Sequence, residues 1–163
     1  MIFVTVGTHE QPFNRLIKSI DTLKRKDVIT EDVIIQTGFS TYEPKYCQWS
    51  KMFSYQEVVK NVEKAHIVIT HGGPASFIMP LQIGKIPIVV PRQKKFNEHV
   101  NDHQVKFVQH IENCMGIIVV KSIETLPEKI VNYEQIIARI KAEIISNNRN
   151  FCIEFENIVG KMF

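Results

Sequence analysis

Short apolar runs and longer stretches of helical periodicity alternate along this chain. Ile2–Val6 is a short β-rich run that ends at Gly7, and Phe13–Lys24 then carries Leu16, Ile17, Ile20 and Leu23 at helical spacing. Val33–Gln36 reads as a second strand, stopped by Gly38. The segment Phe39–Ser50 is irregular and contains Pro44, with a third strand predicted around Trp49–Phe53. Ser54, with Glu57 three residues on, has the form of a capping box and predicts a helix through Glu63. Ile67–Thr70 is a fourth strand. His71-Gly72-Gly73-Pro74 follows as a turn, and Pro74 suits the first turn of a helix that runs to about Ile83 and is ended by Gly84. Ile88–Val90 is the fifth strand, closed by Pro91. A helix is expected from about Asn101 to Glu112 and a sixth strand at Ile117–Val120. From Ser122 to Phe163 the chain reads as helices broken around Ser146–Asn150.

These strands are rich in Ile and Val and lack polar alternation, as strands buried on both faces of a parallel sheet do. Their alternation with helices predicts an α/β fold: one Rossmann-like, doubly wound parallel sheet of about six strands, with C-terminal helices. No repeat or linker divides the chain, so residues 1–163 are expected to form one domain. In the last segment, 149–163, Phe151, Phe155, Ile158 and Met162 share one helical face. Such a helix either packs on its own sheet or docks a partner chain.

Composition narrows the setting. Of 163 residues, 44% are hydrophobic and 23% charged, the profile of a folded globular protein. A net charge of +3 suits an anionic small molecule or an anionic membrane surface, and is too small and scattered to argue for nucleic acid. Cys47, Cys114 and Cys152 are odd in number and form no CxxC pair, which points away from a disulfide framework and towards a reducing, cytoplasmic setting. No apolar stretch approaches the roughly 20 residues that span a bilayer.

In a doubly wound sheet the ligand lies beyond the carboxyl ends of the strands. Three turns would meet there: Gly7-Thr8-His9-Glu10-Gln11-Pro12; His71-Gly72-Gly73-Pro74-Ala75-Ser76; and Pro91-Arg92-Gln93-Lys94-Lys95-Phe96, followed by Asn97 to Gln104. Two of them lead into helices, whose N-termini attract phosphate, and Gly72 and Gly73 would allow close approach to the backbone. Glycine used simply for turning is the alternative reading. Neither turn is a Walker A loop or GxGxxG. His99 and His103 stand four apart beside Glu98 and Asp102, a spacing that can bind metal. However, HExxH and an obvious third ligand are missing, and Arg92, Lys94 and Lys95 favour an anion, so no metal site is expected. The segment is then either a solvated helix start, with Asp102 near the dipole, or a recognition segment using Glu98, Asp102, His103 and Gln104. Ser76 lies in no GxSxG motif and no cysteine lies in a nucleophile motif, so hydrolase readings lack support.

His71-Gly72-Gly73-Pro74-Ala75-Ser76, Gly84-Lys85-Ile86-Pro87-Ile88-Val89-Val90-Pro91-Arg92, Phe96, Glu98-His99-Val100 and Asp102-His103-Gln104 together resemble the C-terminal domain of MurG-like GT-B glycosyltransferases. With Val4-Thr5-Val6-Gly7-Thr8, Pro12-Phe13 and Leu16-Ile17, the likeness is to PssE-type subunits of capsule and exopolysaccharide synthesis, and to the soluble subunit of the dolichol-pathway N-acetylglucosaminyltransferase. The likeness covers residues 1 to about 125. It implies a UDP-sugar donor site in which Gly7-Thr8 face the diphosphate, His9 lies near the sugar–phosphate end and His71–Ser76 form the other wall. Asp102-His103-Gln104 would sit by the sugar and ribose, with Arg92, Glu98 and His99 on a loop over the site. Relatives commonly carry a ribose-binding Glu where this chain has Met79. Either Glu98 substitutes for it, or the chain alone holds the donor more weakly.

The resemblance further implies a donor-binding subunit that works with a membrane-anchored, acceptor-binding PssD-type partner. The partner would bring a lipid-linked saccharide and the general base, and would hold this chain at the inner face of the plasma membrane. His9, Glu98 and His99 are the candidate catalytic groups here, and Arg92 a candidate for stabilising the leaving UDP. Transfer of a hexose, galactose first among the options, without a metal cofactor is the expected reaction. A non-catalytic enhancer of a transferase partner is the alternative. A UDP-sugar epimerase is disfavoured by length.

Overall fold

The computed structural model describes residues 1–143 together with Phe155 and Val159. Six strands and six helices are described: β1 (Ile2–Thr5), α1 (Asn14–Arg25), β2 (Val33–Gln36), β3 (Gln48–Ser50), α2 (Tyr55–Lys64), β4 (Ile67–His71), α3 (Pro74–Gln82), β5 (Ile88–Val90), α4 (His103–Met115), β6 (Ile118–Val119), α5 (Leu126–Val131) and α6 (Tyr133–Glu143). All neighbouring strands pair in parallel, in the order β3-β2-β1-β4-β5-β6. The order reverses between β1 and β4. The connections leave those two strands in opposite directions and open a crevice above their carboxyl ends.

The predicted doubly wound sheet is therefore the observed one, and its strands are largely buried on both faces except at the edge strand β3, where Gln48 is exposed. Val4, Ile35 and Ile69 face a core shared with Leu16, Ile17 and Ile20 of α1 and with Leu126, Ile130 and Tyr133 of α5 and α6. Phe3 and Val68 face the other way, against Val62 of α2 and Met79 of α3. Farther along that side, Phe77, Val89, Phe107 and Ile111 fill the space between α3, α4 and the sheet. Each such side chain contributes about 1.5–3 kcal/mol by leaving water. His66, at the start of β4, ties α6 to the sheet through Glu134 and Glu31.

Local signals set several boundaries. Ser54 and Glu57 form the expected reciprocal cap on α2. Pro74 opens α3. Two elements differ from expectation. β3 runs from Gln48 to Ser50 and does not reach Phe53, because the Ser50 hydroxyl turns onto the Met52 carbonyl. α4 begins at His103 and not Asn101, because the Asn101 side chain accepts the His103 amide and holds a turn ahead of the helix. It also runs on to Met115, where Gly116 adopts φ 59° and stops it. The break expected at Ser146–Asn150 lies outside the described residues, as does most of the terminal segment 149–163. Within that segment Phe155 is helical and packs against the core beneath α3 and α4.

Candidate functional site

A cleft of about 880 Å³ opens at the carboxyl edge of β1, β2 and β4. One wall is the loop Gly7–Glu10, and another is the start of α3, from Gly73 to Ser76 with Met79 below. Tyr55, Val58 and Val62 line it from α2, at the i, i+3, i+7 spacing of one helical face. His71, His99 and Gln104 close the remaining side. The polar and apolar groups are thus separated: imidazoles and a helix N-terminus at one end, Val58, Val62 and Met79 at the other.

His71 is the pivot of the polar end. Its Nδ1 accepts the Gly73 amide at 3.0 Å, and its Nε2 lies 2.9 Å from Ser76 Oγ. That pattern assigns the neutral tautomer with the proton on Nε2, donating to Ser76. Burial first, then the nearby Arg92 guanidinium, pushes the His71 pKa down to about 4. The ring fills space that two glycines leave open. A β-carbon at Gly7 would lie 2.4 Å from Nε2, and one at Gly73 would lie 2.2 Å from Cε1. Gly7 also sits at φ +73°. Of the two glycines that the sequence offered for ligand approach, Gly73 therefore makes room for an imidazole, and a β-carbon at Gly72 would meet Gln104. The turn amides are also largely engaged: Gly72 donates to Gln104 Oε1, Gly73 to His71 and Gly7 to Thr5 Oγ1. Among the described residues, the amides of Thr8 and His9 have no acceptor. The Ala75 amide at the start of α3 is likewise without one, so both walls of the cleft carry donors to spare.

Arg92 does something other than expected. It is fully buried and does not line the cleft. Its Nη1 donates to the carbonyls of Gln11 (2.7 Å) and Glu98 (3.0 Å), and its Nη2 to that of Val6 (2.8 Å). The guanidinium lies 4.8 Å from the centre of the Phe13 ring. Burial lowers its pKa to about 10, with Glu98 opposing the shift, so it stays charged at neutral pH. Glu98 is likewise turned inward. It holds Arg15 through two bonds, Nε to Oε1 at 2.9 Å and Nη2 to Oε2 at 2.8 Å, and accepts the Gln93 amide. Arg92 thus pins the loop after β5 to the loop after β1, and Glu98 pins it to α1. Glu98 is committed to that role and does not stand in for the acid missing at Met79.

The pinned loops carry His9 and His99 into the cleft, stacked with ring centres 4.6 Å apart. His9 Nε2 lies 3.0 Å from Gln11 Oε1. The His99 pKa is lowered by burial first, then by His9 and Arg92. Of the residues the sequence singled out, Gly7, Thr8, His9, His71, Gly73, Pro74, Ser76, His99 and Gln104 come together on the cleft, and Met79 faces it. Gly72, Arg92, Glu98, Asp102 and His103 do not line it. Asp102 accepts the Lys94 amide on the surface, and His103 stacks on Phe107. Gln104 instead spans two walls, its Oε1 accepting the amides of Gly72 and Arg92. Sequence reasoning missed Thr5, Gln36 and the α2 face. The available signals were a polar residue closing the apolar run Val33–Ile35 and the helical spacing of Tyr55, Val58 and Val62.

Among the described residues, no group of three or more His, Cys, Asp or Glu is placed to hold a metal ion, and no helix is long and apolar enough to cross a membrane. Residues 1–156 match the family described as Glycosyltransferase family 28 C-terminal domain. The chain is 31% identical over 107 residues to the human UDP-N-acetylglucosamine transferase subunit ALG13, covering 60% of this chain and 9% of that protein. It is also similar to the glycosyltransferase SnogD from Streptomyces nogalater, with a TM-score of 0.48 and 14% identity over 88% of this chain and 38% of that one.

Proposed function

This chain belongs to the glycosyltransferase family 28 C-terminal domain family, and on that premise we propose that it is the UDP-sugar-binding subunit of a two-chain glycosyltransferase. The observation that carries the reading is the polarised cleft. Its polar end offers the start of α3, the Thr8 and His9 amides and the His9–His99 pair to a diphosphate. Its apolar end offers Val58, Val62 and Met79 to a nucleoside.

In such a transfer the anomeric carbon–oxygen bond to UDP breaks through an oxocarbenium-like centre. Negative charge grows on the leaving diphosphate, and fixed donors already aimed at it stabilise that charge without reorganising. Among the described residues, Glu10 is the only acidic one on the cleft wall, which supports donor binding without a divalent ion. The acceptor side is assigned to a second chain, a membrane-anchored PssD-type subunit carrying the general base and a lipid-linked saccharide. A hexose, with galactose first, is the proposed cargo, and capsule or exopolysaccharide synthesis the proposed setting. That the human relative is itself named a transferase subunit supports the two-chain arrangement. Met79, an apolar side chain on the cleft wall where the family resemblance implies an acid, favours the second reading, a non-catalytic enhancer of the partner.

Calorimetry of the chain with UDP, UDP-galactose, UDP-glucose and UDP-N-acetylglucosamine in EDTA tests the donor reading. Binding of UDP and one UDP-sugar supports it. No binding of any of them, alone or with the proposed PssD-type partner present, overturns it. Binding that appears only on adding Mg²⁺ or Mn²⁺ overturns the metal-free part.

A further inference from the structure

Thr5, Gln36 and Thr70 lie in register across β1, β2 and β4 at their last turns. All three project from the α2–α3 face of the sheet, two residues beyond Phe3, Ile34 and Val68, which pack on that side. They form a polar row above an apolar layer, and every member is buried: 6% of Thr5, 4% of Gln36 and none of Thr70 is exposed. Two members are engaged locally. Thr5 Oγ1 accepts the Gly7 amide, and the Thr70 hydroxyl donates to the His71 carbonyl. Gln36 differs. Its Oε1 has no hydrogen-bond partner among the described residues, although the residue lines the cleft. Tyr55, Val58, Val62 and Met79, which line the same cleft, carry no charge.

A buried amide oxygen without a donor is uncommon, and at a ligand site its partner is usually the ligand. We propose that Gln36 is a specificity-determining residue whose side-chain amide accepts a hydrogen bond from the nucleoside of the bound donor. The inference rests on the UDP-sugar reading and deepens it. If the diphosphate occupies the imidazole end, the nucleoside reaches the Gln36 end. A uridine offers two kinds of donor there, the N3–H of the base and the hydroxyls of the ribose. Met79 provides no acceptor for either beyond its weak sulfur, so recognition falls to the sheet floor and not to the helix wall.

The test compares wild type with Gln36→Met, an unbranched apolar replacement of similar size, in binding to UDP, 2′-deoxy-UDP, 3-methyl-UDP and pyrophosphate. The wild type is expected to bind one of the two analogues about tenfold more weakly than UDP, and which one identifies the group that is read. Gln36→Met should bind UDP about tenfold more weakly, lose that discrimination and keep its affinity for pyrophosphate. Its thermal midpoint should equal or exceed the wild-type value, because an unpartnered acceptor has been removed. Unchanged UDP affinity in Gln36→Met, wild-type indifference to both analogues, or a lowered midpoint overturns the proposal and leaves the donor site intact. Failure of the wild type to bind UDP at all removes the donor site and the proposal together.

Discussion

Replacing Arg92 with Ala separates two roles for the most deeply buried cation among the described residues. As a ligand group on a loop, its loss would weaken UDP binding and leave folding alone. The structure gives it three carbonyl partners, on Val6, Gln11 and Glu98, and no exposed surface. Hydrogen bonds from a charged donor contribute about 1.5–3 kcal/mol each, and they are not additive around one guanidinium. Truncation also orphans those carbonyls and leaves a void over Phe13. A total near 5 kcal/mol follows. For a chain of this size that lowers the thermal midpoint by about 10 °C or more. Arg92→Lys keeps the charge but loses the fork, and should fall between. Urea unfolding of the three proteins, followed by UDP calorimetry well below each transition, is the assay. An Arg92→Ala protein with the wild-type unfolding midpoint and sharply reduced UDP affinity would refute the reasoning and restore Arg92 to the ligand.

Two further outcomes are expected. His71 has a folded pKa near 4 against 6.5 for the free group, so between those values the unfolded chain binds one more proton. Stability should therefore fall as pH drops from 6.5 towards 4, by about 3 kcal/mol in all, and urea midpoints of His71→Asn should be flatter over that range. Gly73→Ala, whose new methyl would lie 2.2 Å from the His71 ring, should lower the midpoint by about 1–3 kcal/mol in equivalent stability. His71→Ala in the same chain should recover part of that loss, and strictly additive effects in the double mutant would contradict the packing.

Much of the fold was legible because its signals are local. The limits of β2 and β5, the cap on α2 and the proline that opens α3 each depend on residues within one turn of the element they define. The site was legible as a set of loops and much less so as a set of contacts. Arg92 meets Val6 across 86 positions, and Arg15 meets Glu98 across 83. No periodicity records such pairings, so two charges that read as ligand groups proved to be braces. Glycine was ambiguous for a similar reason. A missing β-carbon shows that something comes close, but not whether it is a phosphate or, as at Gly7 and Gly73, the ring of His71. Gln36 escaped notice because a single polar residue at a strand end looks like ordinary fraying until it is seen to be buried and in register with Thr5 of β1.

The imidazole held between two glycines has a consequence for how this chain can change over time. Positions 7, 71 and 73 are sterically coupled and are expected to be inherited together. While the ring is present, any side chain gained at 7 or 73 collides with it. Shrinking residue 71 first opens a path, and the path is unequal, since position 7 would still be held at a positive φ and position 73 would not. A lineage leaving this arrangement is thus expected to change position 71 first, position 73 next and position 7 last.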